Sequence, residues 1–130
     1  MDSNKQLINV NTGLAQLLAG QNFNLDVLLK DISVLNTEVA GTYYHHPEKF
    51  AQDILPESII TLKREPQNQF DALAIALYFG DLKIGYLPKA KNEVIAKLMD
   101  AGKQFSAKVK QKTIHSDYNL QLDIEVFMKG

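Results

Sequence analysis

Residues 62–76 read Leu62-Lys63-Arg64-Glu65-Pro66-Gln67-Asn68-Gln69-Phe70-Asp71-Ala72-Leu73-Ala74-Ile75-Ala76. A strand-like start runs into a polar stretch marked by Pro66 and Asn68, then leaves as a second strand-like run, which is the pattern of a chain reversing direction. The reversal gathers Asn68, Phe70 and Asp71 at one exposed corner. Further on, Lys83-Ile84-Gly85-Tyr86-Leu87-Pro88-Lys89 is another apolar run that ends at a proline and turns basic.

The surrounding periodicities predict a small β-rich domain. Val34 to Tyr44, Ser58 to Glu65 and Ala72 to Phe79 read as strands, with His46-Pro47 ending the first and Pro47 opening a helical turn over Glu48 to Leu55. Gly80-Asp81 is a two-residue hairpin signal. Ala72, Ala74 and Ala76 lie opposite the Leu73, Ile75, Leu77 face, which predicts a close approach by backbone or helix on the alanine side. From Lys89 to Ala101 the spacing of Val94, Ile95, Leu98 and Met99 predicts a helix, and Gly102 is placed to end it. The last two strands alternate cleanly: Lys108, Lys110 and Lys112 share one face, and Leu120, Leu122, Ile124, Val126 and Met128 lie opposite Gln121, Asp123 and Glu125. A hairpin centred on Ser116-Asp117 would set Lys110 against Asp123 and Lys108 against Glu125. Six short strands with one inserted helix suit a closed or nearly closed barrel, because closure removes exposed edges. Before it, Leu14, Leu17 and Leu18, then Leu25, Leu28, Leu29 and Ile32, predict two short helices broken near Gly20. The domain reading is therefore a helical extension over 1–33 and a mainly β (α+β) barrel over 34–130.

At 130 residues the chain fits one folded domain, able to bury roughly two thirds of its unfolded surface. It has no cysteine, which excludes disulfides, thiolate zinc sites and a cysteine nucleophile. No apolar run approaches a membrane span, and Met1-Asp2-Ser3-Asn4-Lys5 lacks a signal-peptide pattern, so no membrane is expected and the chain reads as soluble and intracellular. The bare single-domain format suggests a prokaryotic protein, and then a cytoplasmic one. The net charge of −1 hides an asymmetry. Residues 1–82 carry five basic and ten acidic side chains, whereas 83–112 carry eight lysines against Glu93 and Asp100. Cross-strand pairing would neutralise much of the 108–112 stripe, leaving Lys83, Lys89, Lys91, Lys97 and Lys103 as the free cations.

The corner residues carry the chemistry. Asn68 and Asp71 are residue types that bond nearby turn amides, so both have a purely structural use. Phe70 is different, because a ring between polar turn residues is hard to bury and one open face stacks on a base for about 1–3 kcal/mol. Tyr43, Tyr86 and Tyr118 offer further rings, although singly each also serves to cover a barrel rim. Beside free lysines and a carboxylate they form a single-strand-binding constellation. No catalytic motif, metal motif or cofactor motif stands beside it. His45-His46 with His115, and with Asp53 or Glu48, is a poor metal set, since adjacent strand residues point to opposite faces.

The two segments together read REPxNxFDxxAI followed by IGYLPK, and from about Val39-Ala40-Gly41-Thr42-Tyr43-Tyr44 onward the chain resembles the HIRAN domain family. The resemblance implies a barrel related to SH3 and OB folds that binds single-stranded DNA at a free 3′-hydroxyl end and has no catalysis of its own. It implies that Asp71 bonds the terminal hydroxyl, that Phe70 and Tyr43 stack, that Lys89 bonds phosphate and that Tyr118 stacks late in the chain. The chain departs from well-studied eukaryotic members at three positions. Thr42 replaces an arginine, Phe70 a tyrosine and Tyr86 a histidine. Members are attached to helicases and nucleases of DNA repair and fork processing. An adaptor that binds such a helicase or nuclease, or a second copy, is the alternative reading.

Overall fold

In a computed structural model, the described residues are 31–116 and 119–130. The predicted helices before Asp31, the centre of the last hairpin and Tyr118 lie outside them. Six strands, β1 Ile32–Glu38, β2 Ile59–Arg64, β3 Ile75–Phe79, β4 Leu82–Tyr86, β5 Phe105–Ser116 and β6 Asn119–Met128, and one α-helix, α1 Glu93–Asp100, make up the regular elements. They form one sheet in the order β1-β6-β5-β2-β3-β4. Every neighbouring pair is antiparallel. The sheet curls into an OB-like half-barrel, as the strand count predicts. Among the described residues no helix is long and apolar enough to cross a membrane.

Alternation along the strands decides what is inside. Ile60 and Leu62 of β2, Ala107 and Val109 of β5, and Leu120, Leu122, Ile124 and Val126 of β6 are buried. Their odd- and even-numbered partners face outward, as a period of two requires. Phe50 and Ile54, held by the turn that Pro47 opens, complete the core. Leu87, following β4, also lies in it. Phe79 and Leu82 pair across Gly80-Asp81, with Gly80 at φ 60, so that hairpin is as predicted.

Four local expectations are corrected. Ile32 belongs to β1 and not to a preceding helical stripe. The first strand stops at Glu38 instead of running to Tyr44, because Gly41 at φ 78 turns the chain into a 3₁₀ helix over Thr42–His45. The third strand starts at Ile75 instead of Ala72, because the Arg64 guanidinium takes the carbonyls of Ala74 (2.7 Å) and Ala72 (3.0 Å). In α1 it is Ile95 and Ala96 that are buried, while Val94 is exposed. The helix ends as predicted: Gly102 N–H reaches the Met99 carbonyl and Lys103 N–H the Leu98 carbonyl, the two bonds of a Schellman cap.

The long hairpin also shifts. Lys108 does face Glu125, but a bulge between Val109 and Gln111 sets Gln111 and not Lys110 opposite Asp123. An extra residue in one strand breaks the strict alternation from that point. Lys110 instead bonds Glu57 at 2.7 Å and lies 3.9 Å from Glu125. The lysine stripe is still largely neutralised, through a different carboxylate.

What closes the sheet is a bridge beyond the end of β1. Ala40 and Tyr86 exchange backbone hydrogen bonds of 2.8 and 2.9 Å, tying the chain after β1 to β4 at the opposite edge. Gly85 sits at this crossing with φ 153, and a Cβ there would lie 2.5 Å from the Ala40 carbonyl oxygen and 2.6 Å from Val39 Cγ1. Nothing but hydrogen fits. Gly85→Ala is therefore expected to cost about 2–4 kcal/mol in urea denaturation, well beyond Gly80→Ala, whose added methyl meets open space. Equal losses at the two glycines would show that the closure tolerates a side chain.

Candidate nucleic-acid interface

The corner predicted from residues 62–76 is a turn built on Asn68. Its Oδ1 accepts the N–H groups of Phe70 (2.8 Å) and Asp71 (3.0 Å), and its amide donates to Glu65 Oε1 at 3.0 Å. Asn68 is thus a turn former whose oxygen is spent on the turn, with one amide N–H beyond its bond to Glu65. The consequence is that Phe70 has nowhere to go but outward. It is 86% exposed, the most exposed of the large apolar side chains among the described residues.

Asp71 is held from two sides. Leu73 N–H donates to Oδ1 at 2.9 Å and the Asn92 amide donates to Oδ2 at 2.8 Å. These bonds, led by the Leu73 amide, hold the carboxyl below the ordinary aspartate range against the opposing effect of burial, with the Lys89 and Arg64 charges adding to the shift. A carboxylate offers about four acceptor positions, so two remain for an incoming donor.

Beneath the turn lies a second polar cluster. Tyr86 donates its hydroxyl to Glu65 Oε1 at 2.8 Å, and the Lys83 ammonium bonds Glu65 Oε2 and the Tyr86 hydroxyl. The Lys83 ammonium also sits 5.2 Å from the Tyr86 ring centroid, and the His45 ring packs against the same ring at 5.8 Å. Burial of His45, then the Lys83 charge, holds its imidazole below the ordinary range even though Glu65 pulls the other way. Tyr86 is therefore a brace: the hydroxyl is occupied and the ring is partly covered. Lys83, expected to be free, is paired, as is Lys97 with Glu93. Lys89, Lys91 and Lys103 have no ion pair among the described residues. Lys89 opens a short 3₁₀ turn after Pro88 and is exposed.

The first glycine turn brings in two more rings. Thr42 is buried and donates to the Leu120 carbonyl at 2.9 Å, which pins the 3₁₀ helix to the long hairpin. Tyr43 and Tyr44 then stand 67% and 80% exposed, edge to face at 5.5 Å. A strand would have put them on opposite faces, and Tyr44 is not among the predicted site residues. The same turn takes His45 and His46 off a strand altogether. Among the described residues no group of three or more His, Cys, Asp or Glu side chains is arranged to hold a metal.

The bonds form a continuous path. Tyr43's turn begins beside the Ala40–Tyr86 bridge, Tyr86 holds Glu65, Glu65 holds Asn68, and Asn68 holds the amides of Phe70 and Asp71. Tyr43, Asn68, Phe70, Asp71 and Tyr86 are thereby linked in one assembly. Arg64, Glu65 and Asn92 have no role in the site as read from the sequence, and Lys83 was expected only as a free cation. Each has a decisive partner distant in the chain: Arg64 bonds Asp100, Lys83 bonds Glu65 and Asn92 bonds Asp71.

The HIRAN domain family model matches residues 32–129. The chain belongs to the HIRAN domain family. HIRAN domains are binding modules and not themselves catalytic, and membership points to nucleic acid as the ligand. No curated protein sequence matches the chain. Among solved structures, a protein from Lactobacillus plantarum superposes with a TM-score of 0.65 at 22% identity, over 77% of this chain and 97% of the other. The HIRAN domain of human HLTF superposes with a TM-score of 0.59 at 19% identity, over 77% of this chain and 78% of the other. At these identities the likeness is one of fold.

Glu65 provides a test of the cluster beneath the turn. Burial opposes its charge, but the hydrogen bonds from Lys83, Asn68 and Tyr86 outweigh it and bring the carboxyl from 4.5 to about 2. A depressed folded-state value means that the unfolded chain binds the proton first. The stabilisation is then complete above pH 4.5 and is lost as pH falls towards 2. Across that window the melting temperature of the wild type is expected to fall more steeply than that of Glu65→Gln. Parallel curves would mean that the cluster contributes nothing that depends on the charge.

Proposed function

We propose that this HIRAN chain is a non-catalytic module that binds single-stranded DNA at a free 3′ end in repair or fork processing. The observation that carries the reading is Phe70, 86% exposed and directly followed by a carboxylate with two acceptor positions to spare. An aromatic ring held out by a rigid turn is unfavourable in water unless something covers it, and a terminal base does so by stacking. The sugar of that base would then bring its 3′-hydroxyl to Asp71 as a donor.

In this reading Phe70 and Tyr43 are the stacking platforms, and Tyr118 supplies a later one. Lys89 neutralises a backbone phosphate. Asn68 and Tyr86 act from behind, by shaping the turn. Because Thr42 is buried and its hydroxyl is spent on Leu120, no guanidinium clamps the strand at that position. Affinity then rests more on stacking than on phosphate contacts, and should depend only weakly on salt.

Phe70→Ala is expected to weaken binding of a short single-stranded oligonucleotide by about 1–3 kcal/mol in fluorescence anisotropy. The melting temperature should barely move, since an exposed ring adds little to the core. A large thermal loss with unchanged binding would make Phe70 a packing residue.

End reading is tested with matched oligonucleotides carrying a 3′-hydroxyl or a 3′-phosphate. A carboxylate that accepts a hydrogen bond from the hydroxyl repels a phosphate in the same place. The wild type is expected to prefer the hydroxyl end, and Asp71→Asn to shrink that preference more than it weakens binding overall. Equal binding of both ends by the wild type would reduce Asp71 to a turn former. Absence of binding to any single strand at low salt would favour an adaptor that docks a helicase or nuclease.

A further inference from the structure

We propose that Asn92 is a positioning residue of the end-reading site, fixing the Asp71 carboxylate in the one orientation from which it accepts a terminal hydroxyl. The inference rests on the role given to Asp71 above. Asn92 stands immediately before α1, where an asparagine ordinarily turns its side-chain oxygen back onto the first helical amides. It makes no such cap. Its amide instead crosses to Asp71 Oδ2 at 2.8 Å, from a side chain only 2% exposed. A carboxylate only accepts, so the group facing it must be the Nδ2 end, and the amide orientation is settled by chemistry.

The helix thus forgoes a stabilising cap in favour of a contact with a half-buried carboxylate on another segment. Leu73 N–H alone would fix one oxygen and leave the other free to swing about χ2. With Asn92 on the second oxygen, both are pinned and each keeps one open acceptor position. A hydroxyl donor needs such a fixed acceptor, whereas base stacking does not. Loss of Asn92 should therefore fall on discrimination between ends more than on single-strand binding.

The test is fluorescence anisotropy with 3′-hydroxyl and 3′-phosphate oligonucleotides on the full chain, for wild type, Asn92→Ala and Asn92→Asp. An NMR titration of the Asp71 carboxyl on the same proteins reports the contact directly. Asn92→Ala is expected to lose about three- to tenfold in affinity for the hydroxyl end, and distinctly less for the phosphate end. Its Asp71 should titrate nearer the ordinary aspartate value. Asn92→Asp keeps the size but sets a second acceptor against Asp71, so it should cost the hydroxyl end at least as much affinity at neutral pH as Asn92→Ala does, and undiminished hydroxyl-end binding there overturns the proposal even if Asn92→Ala fails to fold. An unchanged ratio of the two affinities, or equal losses on both ends, in a folded Asn92→Ala overturns it as well. The wild type alone decides end reading: no preference there removes both ideas, whereas a preference that survives Asn92→Ala removes only this one.

Discussion

The structure depends on one close approach, the crossing of Ala40 over Gly85. A six-stranded antiparallel sheet that merely curled would leave β1 and β4 as open edges, each with a row of unpaired amides and carbonyls. Two hydrogen bonds between Ala40 and Tyr86 join those edges at one end. They form only because position 85 lacks a Cβ, which would sit 2.5 Å from the Ala40 carbonyl oxygen. The bridge reaches into the site at once. Tyr86 closes the sheet with its backbone and braces Glu65 with its hydroxyl, while the chain leaving Ala40 turns at Gly41 and exposes Tyr43 and Tyr44. Barrel closure and the candidate interface are consequences of the same pair of residues.

The polar groups at the corner mostly satisfy one another. Glu65 takes bonds from Asn68, Lys83 and Tyr86, and Asn68 spends its oxygen on two backbone amides. Lys83 is withdrawn from solvent chemistry in the same way. What the surface offers is therefore narrow: exposed rings, the spare acceptor positions of Asp71, and the exposed Lys89 and Lys91. On a chain of net charge −1, that combination favours contacts that require stacking over diffuse attraction to phosphate.

Much of the fold was legible because it is written in short-range periodicity. The alternation of Leu120, Leu122, Ile124 and Val126, the Gly80-Asp81 hairpin and the Gly102 helix stop each involve neighbours a few residues apart. The turn and the outward ring at Phe70 were legible for the same reason. What escaped involves partners far apart in sequence or a change of backbone state. Lys110 found Glu57, fifty-three positions away, because a bulge moved it out of register with Asp123. Tyr44 ends a segment that reads as strand and that Gly41 turns into a 3₁₀ helix. Asn92 has the look of a helix cap, and no local signal says that its amide is used elsewhere.

The role of α1 follows from those long-range contacts. The segment 65–74 is a polar excursion between two strands, and on its own it would hold a ring and a carboxylate only loosely. It is tied at both ends of the same helix. Asn92, just before α1, bonds Asp71, and Asp100, the last residue of α1, takes both Nε (2.8 Å) and Nη2 (3.1 Å) of Arg64. The remaining donors of Arg64 hold the carbonyls of Ala72 and Ala74 on the returning limb. A planar guanidinium bonded on two sides leaves little freedom for the backbone it spans. The inserted helix thus acts as a splint: its own buried contacts are few, and its two termini set the orientation of the turn. The carboxylate at Asp71 is held by groups that are themselves anchored, which is what recognition of a small, directional group such as a hydroxyl requires.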